Sequence, residues 1–279
     1  MRLTDLAALL LTVPLAVAHA QEAITEPVSV RADRLPDSAS GAPFSAQVVT
    51  ADELRRAPQS RLDDILRAQV PGFSLFRRSS SRVANPTTQG VTLRNFGPSG
   101  AGRTLVLLDG IPLNDPFAGY VLWNQVPPAA LQSVLVTSGG GAGLFGNAAL
   151  AGTIYLLSSH PDEDTATAEA LVGERETYDV SLGATLVEKP VTLSLFAERF
   201  ATGGYPVLQA EQRGPVDQNA SSDSTLLSLA AAVALTRNST LHLQSRGFRE
   251  ERANGTVLTR NDTSGSDASA VWETRFPEL

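Results

Sequence analysis

From Thr165 to the end of the chain, apolar residues recur at every second position. Tyr178, Val180, Leu182, Ala184 and Leu186 share one face of an extended segment. Val191, Leu193, Leu195 and Ala197 share a face of the next, opposite Thr192, Ser194 and Glu198. Leu227, Leu229, Ala231, Val233 and Leu235 repeat the pattern, Leu241 and Leu243 oppose Thr240, His242, Gln244 and Arg246, and Ala268, Ala270, Trp272 and Phe276 close the series. Period two over such lengths predicts roughly six antiparallel strands with one apolar and one polar face, as in a transmembrane barrel. Val187–Pro190 and Thr236–Ser239 read as short turns, whereas Ala201–Asp223 and Glu251–Gly265 read as long polar loops. Outer-membrane barrels keep short turns on the periplasmic side and long loops outside, which places Glu188–Pro190 inside and Ala201–Asp223 outside.

Upstream the texture differs. Leu105–Leu108, Val134–Thr137 and Thr153–Leu157 are short apolar runs bounded by Gly, Asp, Asn or Ser, which predicts buried strands separated by turns. Asp109-Gly110 is a tight-turn dipeptide, and Pro127–Gln132 suits one helical turn. Ala46–Thr50 and Phe73–Phe76 read as further strands. Thr50 and Glu53 have the spacing of a capping box for a short helix that stops near Pro58. A second helix is predicted from Ser60 to Pro71-Gly72, with Leu62, Ile65, Leu66 and Val70 on its apolar face and Asp63 and Asp64 in its acidic first turn. These pieces make a small mixed core, with the helix as scaffold.

Met1–Ala20 has an apolar stretch, Leu6–Val17, and an Ala18-His19-Ala20 cleavage signature, so it reads as a secretory signal. Gln21–Ser40 is a polar leader. His160–Asp164 is a boundary turn, where Asp162-Glu163-Asp164 read as linker. The organisation expected is therefore 1–20 signal, 21–40 leader, 41–160 α+β domain and 161–279 barrel strands.

The run GVTLRNFGPSGAGRTLVLLDGIPLND followed by SVLVTSGGGAGLFGNAALAGTIYLL resembles the plug domain of TonB-dependent outer-membrane receptors, over Glu26 to Ser158. The resemblance implies an outer-membrane receptor that takes up a scarce small-molecule ligand, such as a siderophore or a corrinoid like vitamin B12. It implies a partner too, a TonB-like energy-transducing protein that captures an extended leader segment. Ile24, Thr25, Glu26, Pro27, Val28, Ser29 and Val30 resemble that TonB box. An extended segment of this kind offers its backbone to a sheet edge. The family's plug is held to its barrel by two arginines facing barrel carboxylates. Arg94 matches one, while Asn95 replaces the Gly usual after it and Ser138 replaces the second arginine. Candidate ligand contacts are Arg77, Arg78, Arg82 and Asn85 in a hydroxyl-rich loop, and Asn114, Asp115, Tyr120 and Trp123, which offer stacking area beside directed hydrogen bonds. For Tyr120 and Trp123 the alternative is packing against the barrel wall. The three arginines point to an anionic ligand.

Composition narrows this. A net charge of −7 speaks against nucleic acid, whereas ligand and outer-membrane lipid are the partners the resemblance implies, and the absence of Cys excludes disulfides and thiolate metal sites. The sequence calls for no cofactor and no metal. The histidines His19, His160 and His242 lack metal-spaced partners, and no catalytic constellation marks an enzyme. Gly141–Gly146 matches the dinucleotide fingerprint, but Asn147–Gly152 is too short for the crossover helix that fingerprint requires. Known single-chain barrels start at about 8 strands, so the expectation is the N-terminal part of a longer receptor that does not transport alone. The alternative from another class is a non-transporting outer-membrane binding or signalling protein.

Overall fold

The computed structural model describes residues 45–75, 80–83, 90–93, 103–139 and 145–275. A five-stranded mixed sheet comes first. Its strands are β1 (Ser45–Thr50), β4 (Thr104–Leu108), β5 (Ile111–Pro112), β6 (Leu131–Ser138) and β7 (Gly152–Ser158). Their order is β1-β6-β7-β4-β5, with β4 and β7 parallel and every other neighbour antiparallel. β2 (Phe73–Leu75) and β3 (Val91–Leu93) form a separate antiparallel pair. Two helices, α1 (Ala51–Arg56) and α2 (Leu62–Gln69), cover one face of the mixed sheet.

Local chemistry sets the ends of these pieces. Asp109 and Gly110 both take positive φ, 49° and 87°, the two-residue turn that joins β4 to β5. The Asp109 carboxylate accepts from the Ser158 backbone N–H at 2.9 Å and hydroxyl at 2.5 Å, tying that turn to the end of β7. The capping box is formed as expected: Thr50 Oγ1 accepts from Glu53 N, and the Glu53 carboxylate accepts from Thr50 N. Those backbone and hydroxyl donors hold the Glu53 carboxyl below its ordinary pKa. Thr50→Ala is expected to lower stability by about 1 kcal/mol, measurable as a shift in the urea midpoint without a change in slope.

Two boundaries differ from expectation. α2 begins at Leu62, with Arg61 as its N-cap, and not at Ser60. Leu131 and Gln132 belong to β6, so the predicted helical turn is limited to Pro128–Ala130. There a strand partner outweighs local preference, because Leu131 pairs with Ser158 of β7.

The core lies between α2 and the sheet: Leu62, Ile65 and Leu66 meet Val106, Leu108, Val134, Val136, Ile154 and Leu156. Each such side chain contributes on the order of 1.5–3 kcal/mol when fully buried.

A six-stranded antiparallel sheet follows: β8 (Thr165–Gly173), β9 (Thr177–Glu188), β10 (Val191–Pro206), β11 (Asp217–Thr236), β12 (Ser239–Thr256) and β13 (Arg260–Thr274). Every strand pairs with its neighbour in sequence. The registers put Leu193 and Leu195 beside Leu186, Ala184, Val233, Ala231 and Leu229 on one face, as period two predicts. Those leucines are exposed, whereas Thr177, Ser181, Thr185, Glu198, Ser222, Ser224 and Glu250 on the other face are buried. The hydrophobic surface therefore points away from the protein interior.

The long loops are shorter than expected. β10 continues to Pro206 and β11 starts at Asp217; β12 continues to Thr256 and β13 starts at Arg260. The extensions of β11, β12 and β13 are mostly polar on both faces and that of β10 is Ala-Thr-Gly-Gly-Tyr-Pro, so the apolar alternation that marks a strand disappears while backbone pairing persists. The connections at that end are 174–176, 207–216 and 257–259, against 189–190 and 237–238 at the other. Among the described residues the sheet stays open, with β8 and β13 at its edges. No described helix is long and apolar enough to cross a membrane.

Candidate functional site: a buried polar seam

The mixed sheet and its helices meet the polar face of the six-stranded wall along two charged clusters. The first centres on Arg61. Its carbonyl starts α2 by accepting from Asp64 N and Ile65 N, while its side chain leaves the helix for β9 and β10. Nη1 lies 3.3 Å from both Glu198 oxygens, and Nη2 lies 3.6 Å from Asp179 Oδ2. The guanidinium stacks 3.7 Å from the centroid of the Phe200 ring. Strand geometry assembles that receptor: Glu198 and Phe200 are two apart on β10, and Phe200 pairs with Asp179 of β9. The Arg61 side chain is 1% exposed and that of Glu198 4%. At such burial an unpaired charge is costly, so each ion needs the other.

The second cluster gathers around Glu250 on β12. Asn124 Nδ2 donates to Glu250 Oε1 at 2.6 Å, and Ser222 Oγ donates to the same oxygen at 2.9 Å. Arg252, two residues along the strand, pairs with Glu250 and donates to the Ser81 carbonyl at 3.1 Å. Asn124 donates to that carbonyl as well, at 3.2 Å. Ser81 in turn donates from its hydroxyl to Asp63 at 2.5 Å, and Ser80 donates to Asp64. The acidic first turn of α2, which reads in sequence as a dipole device, also holds the turn that faces the wall. Arg82 completes the seam: it donates to Thr177 Oγ1 at 3.1 Å and borders a cavity of 710 Å³ with Asp64, Arg67, Arg175 and Tyr205.

The other expected site residues fall in three groups. Ile24–Val30, Arg77, Arg78, Asn85 and Arg94 lie outside the described residues, as do Met1–Ala20 and Phe276. Arg82 faces the wall, as described. Asn114, Asp115 and Trp123 are engaged within the mixed domain. Asn114 accepts from Val106 N and donates to the Thr104 and Gly119 carbonyls, capping the start of β4. Asp115 accepts from Phe117 N and Ala118 N. Trp123 is 1% exposed, its ring edge-on to Phe73 at 6.0 Å, inside the core and not at the wall. Tyr120 is half-buried, and burial followed by the nearby Asp115 carboxylate pushes its phenol pKa up.

Sequence reasoning missed Arg61, Glu250 and Arg252, placed Asn124 at the end of a candidate ligand-contact stretch, and noted Glu198 only as polar. For Glu198 the available signal was a carboxylate at an inward position of an otherwise uncharged strand face. Its partner, 137 residues away for Arg61, could not be read from spacing. Asp164, part of the expected linker turn, accepts from Val187 N at 2.7 Å. Among the described residues no group of three His, Asp or Glu is placed to hold a metal ion.

Residues 38–153 match the family model for the TonB-dependent Receptor Plug Domain. The chain carries a TonB-dependent receptor plug domain. Beyond it, the chain is 28% identical over 196 residues to the vitamin B12 transporter BtuB of Vibrio vulnificus, covering 70% of this chain and 29% of that protein. It is 30% identical over 156 residues to the ferrienterobactin receptor of Escherichia coli K12, covering 51% of this chain and 20% of that one. The chain thus spans less than a third of either relative. In fold it is similar to the siderophore receptor PirA from Pseudomonas aeruginosa, with a TM-score of 0.59 at 16% identity, over 84% of this chain and 38% of that chain. The mixed domain is followed by antiparallel strands that, among the described residues, form an open six-stranded sheet. These relatives are transporters and receptors, and TonB-dependent receptors are outer-membrane proteins.

Proposed function

We propose that this chain supplies the plug and the first strands of an outer-membrane receptor that takes up a scarce, anionic ligand of the siderophore or corrinoid class. The observation that carries the reading is the seam. A sheet whose apolar face points outward holds, on its polar face, a domain fixed by buried Arg61–Glu198 and Asn124–Glu250 contacts. Apolar outside and plugged inside is what a lipid-embedded gated cylinder requires.

In this reading Met1–Ala20 directs export, the leader offers Ile24–Val30 to a TonB-like energy-transducing protein, and ligand reaches the plug from the side of connection 207–216. Further strands complete the wall, because the open edges of β8 and β13 would leave backbone groups unpaired in hydrocarbon, at several kcal/mol each. A six-stranded sheet encloses no pore, so this segment alone does not transport. In this reading the plug–wall hold includes Arg61 beside any contribution from Arg94.

Deleting residues 24–32 from the receptor is expected to abolish uptake of the nutrient that rescues a deletion strain while leaving its binding to whole cells unchanged. Unimpaired uptake would instead favour a binding protein that does not use an energised partner.

A further inference from the structure

We propose that the plug parts from the wall on one side only, pivoting on its contact with β9 and β10, so that the ligand passes down the inward face of β11 to β13. This deepens the transport reading and rests on it. On β9 and β10 the plug contributes cations. Arg61 reaches Glu198 and Asp179, and its guanidinium stacks on Phe200. Arg82 lies 6.0 Å from the same ring and donates to Thr177 of β9. Parting here would leave Glu198 and Asp179, on neighbouring strands, without their cation. Removing one partner is the costly way to break a buried pair.

On β12 and β13 the ion pairs belong to the wall itself. Glu250 pairs with Arg252 along β12. Arg246 donates from Nε and Nη2 to the Asp267 carboxylate of β13, at 2.9 to 3.1 Å. The plug meets Glu250 and Arg252 with two neutral groups, the Asn124 amide and the Ser81 carbonyl. Parting on this side exchanges those two contacts for water and leaves both wall pairs intact. Water replaces a neutral partner at little net cost, because the freed groups are not left buried and unsatisfied.

Toward the short turns, plug and wall already stand apart on the same side. A cavity of 410 Å³ lies between the end of the mixed sheet, at Tyr155 and His160, and the wall at Ser194, Ala230, Gln244 and Ser269. Those four wall residues form one register row across β10 to β13. Three of them are small, which keeps the space open. Gln244 and Glu250 share the inward face of β12, about 20 Å apart at roughly 3.4 Å per residue. Between them lie the rows of Arg246 and Phe248, with Ser228 and Leu226 beside them on β11. A seam opened at Glu250 therefore runs along β11 to β13 into a space that exists before any movement.

The test uses the receptor carrying this chain, made otherwise free of cysteine, in planar bilayers bathed in potassium chloride. The chain itself has no Cys, so a single substitution reports on a single place. Ser181, buried on β9, pairs with Glu198, and Ser222, buried on β11, pairs with Arg252. In urea too dilute for global unfolding, a maleimide polyethylene glycol should label Ser222→Cys roughly tenfold faster than Ser181→Cys, because local opening follows the weaker contact. Ser222 donates to Glu250, so Phe248→Cys, buried on β12, is the second reporter and should match it. Adding Arg61→Ala should bring Ser181→Cys up to the same rate. Channel openings should appear over the same urea range. Ala230→Trp, which fills the cavity, should abolish them, and Ala197→Trp on the outward face should not. Equal labelling on the two sides, or faster labelling at Ser181→Cys, overturns the one-sided parting. Openings that survive Ala230→Trp overturn the passage along β11 to β13. A receptor that does not insert into the bilayer overturns the membrane reading beneath both.

Discussion

Replacing Arg61 with Ala is expected to lower the stability of the plug–wall unit by about 3–5 kcal/mol, because it strands a buried carboxylate. Glu198 would then face Asp179 across a nearly dry seam with no cation between them, and Phe200 would lose its stacked guanidinium. The expected asymmetry is the informative part. Arg61→Met combined with Glu198→Leu should recover most of the loss, since replacing a buried pair by apolar groups of similar volume is often neutral or stabilising. Denaturant unfolding of the purified chain measures this, followed by Trp123 fluorescence in a Trp272→Phe background, which leaves one tryptophan. A loss below about 1 kcal/mol for the single variant would class the contact with exposed ion pairs and remove it as a plug anchor.

The second large effect is expected at Gly152. This residue begins β7 at φ +139°, and a Cβ there would lie 2.1 Å from the Thr137 carbonyl oxygen and 2.8 Å from Leu93 Cδ1. The first neighbour is backbone of β6, paired to β7 in register, so it cannot yield without breaking the sheet. Gly152→Ala combines forbidden backbone with overpacking and should cost about 3 kcal/mol. Gly110→Ala is the comparison. Its φ is also positive, at +87°, but the nearest atom to an added Cβ is the movable Tyr155 hydroxyl at 3.5 Å. Its loss should stay near 1 kcal/mol, the backbone share alone. Similar midpoints for both variants in thermal unfolding would mean that the Gly152 contact relaxes.

Much of the architecture was legible in the residues. The Thr50–Glu53 box, the apolar face of α2, the Asp109-Gly110 turn and the alternation on β9 to β11 are local patterns, and local patterns act through neighbours a few positions away. The same logic explains what failed. The outer parts of β11 to β13 are mostly polar on both faces and that of β10 is Gly-rich, so they carry no periodic signal, and pairing with adjacent strands alone makes them strands. Trp123 looked available for ligand because its neighbours are loop residues. Phe73, Leu62 and the sheet enclose it from far away in sequence.

Spacing along the chain is enough to read the order of a mixed domain followed by two-faced strands, and which strand face avoids water. Those follow from side-chain spacing against fixed backbone periods. Which polar groups meet emerges on folding: Arg61 with Glu198 and Asp179, Asn124 and Arg252 with Glu250, Arg199 and Arg249 with Asp223, Glu251 and Asp262. Such pairs depend on register and on how one sheet seats against another, and neither is encoded in the distance between residues along the chain.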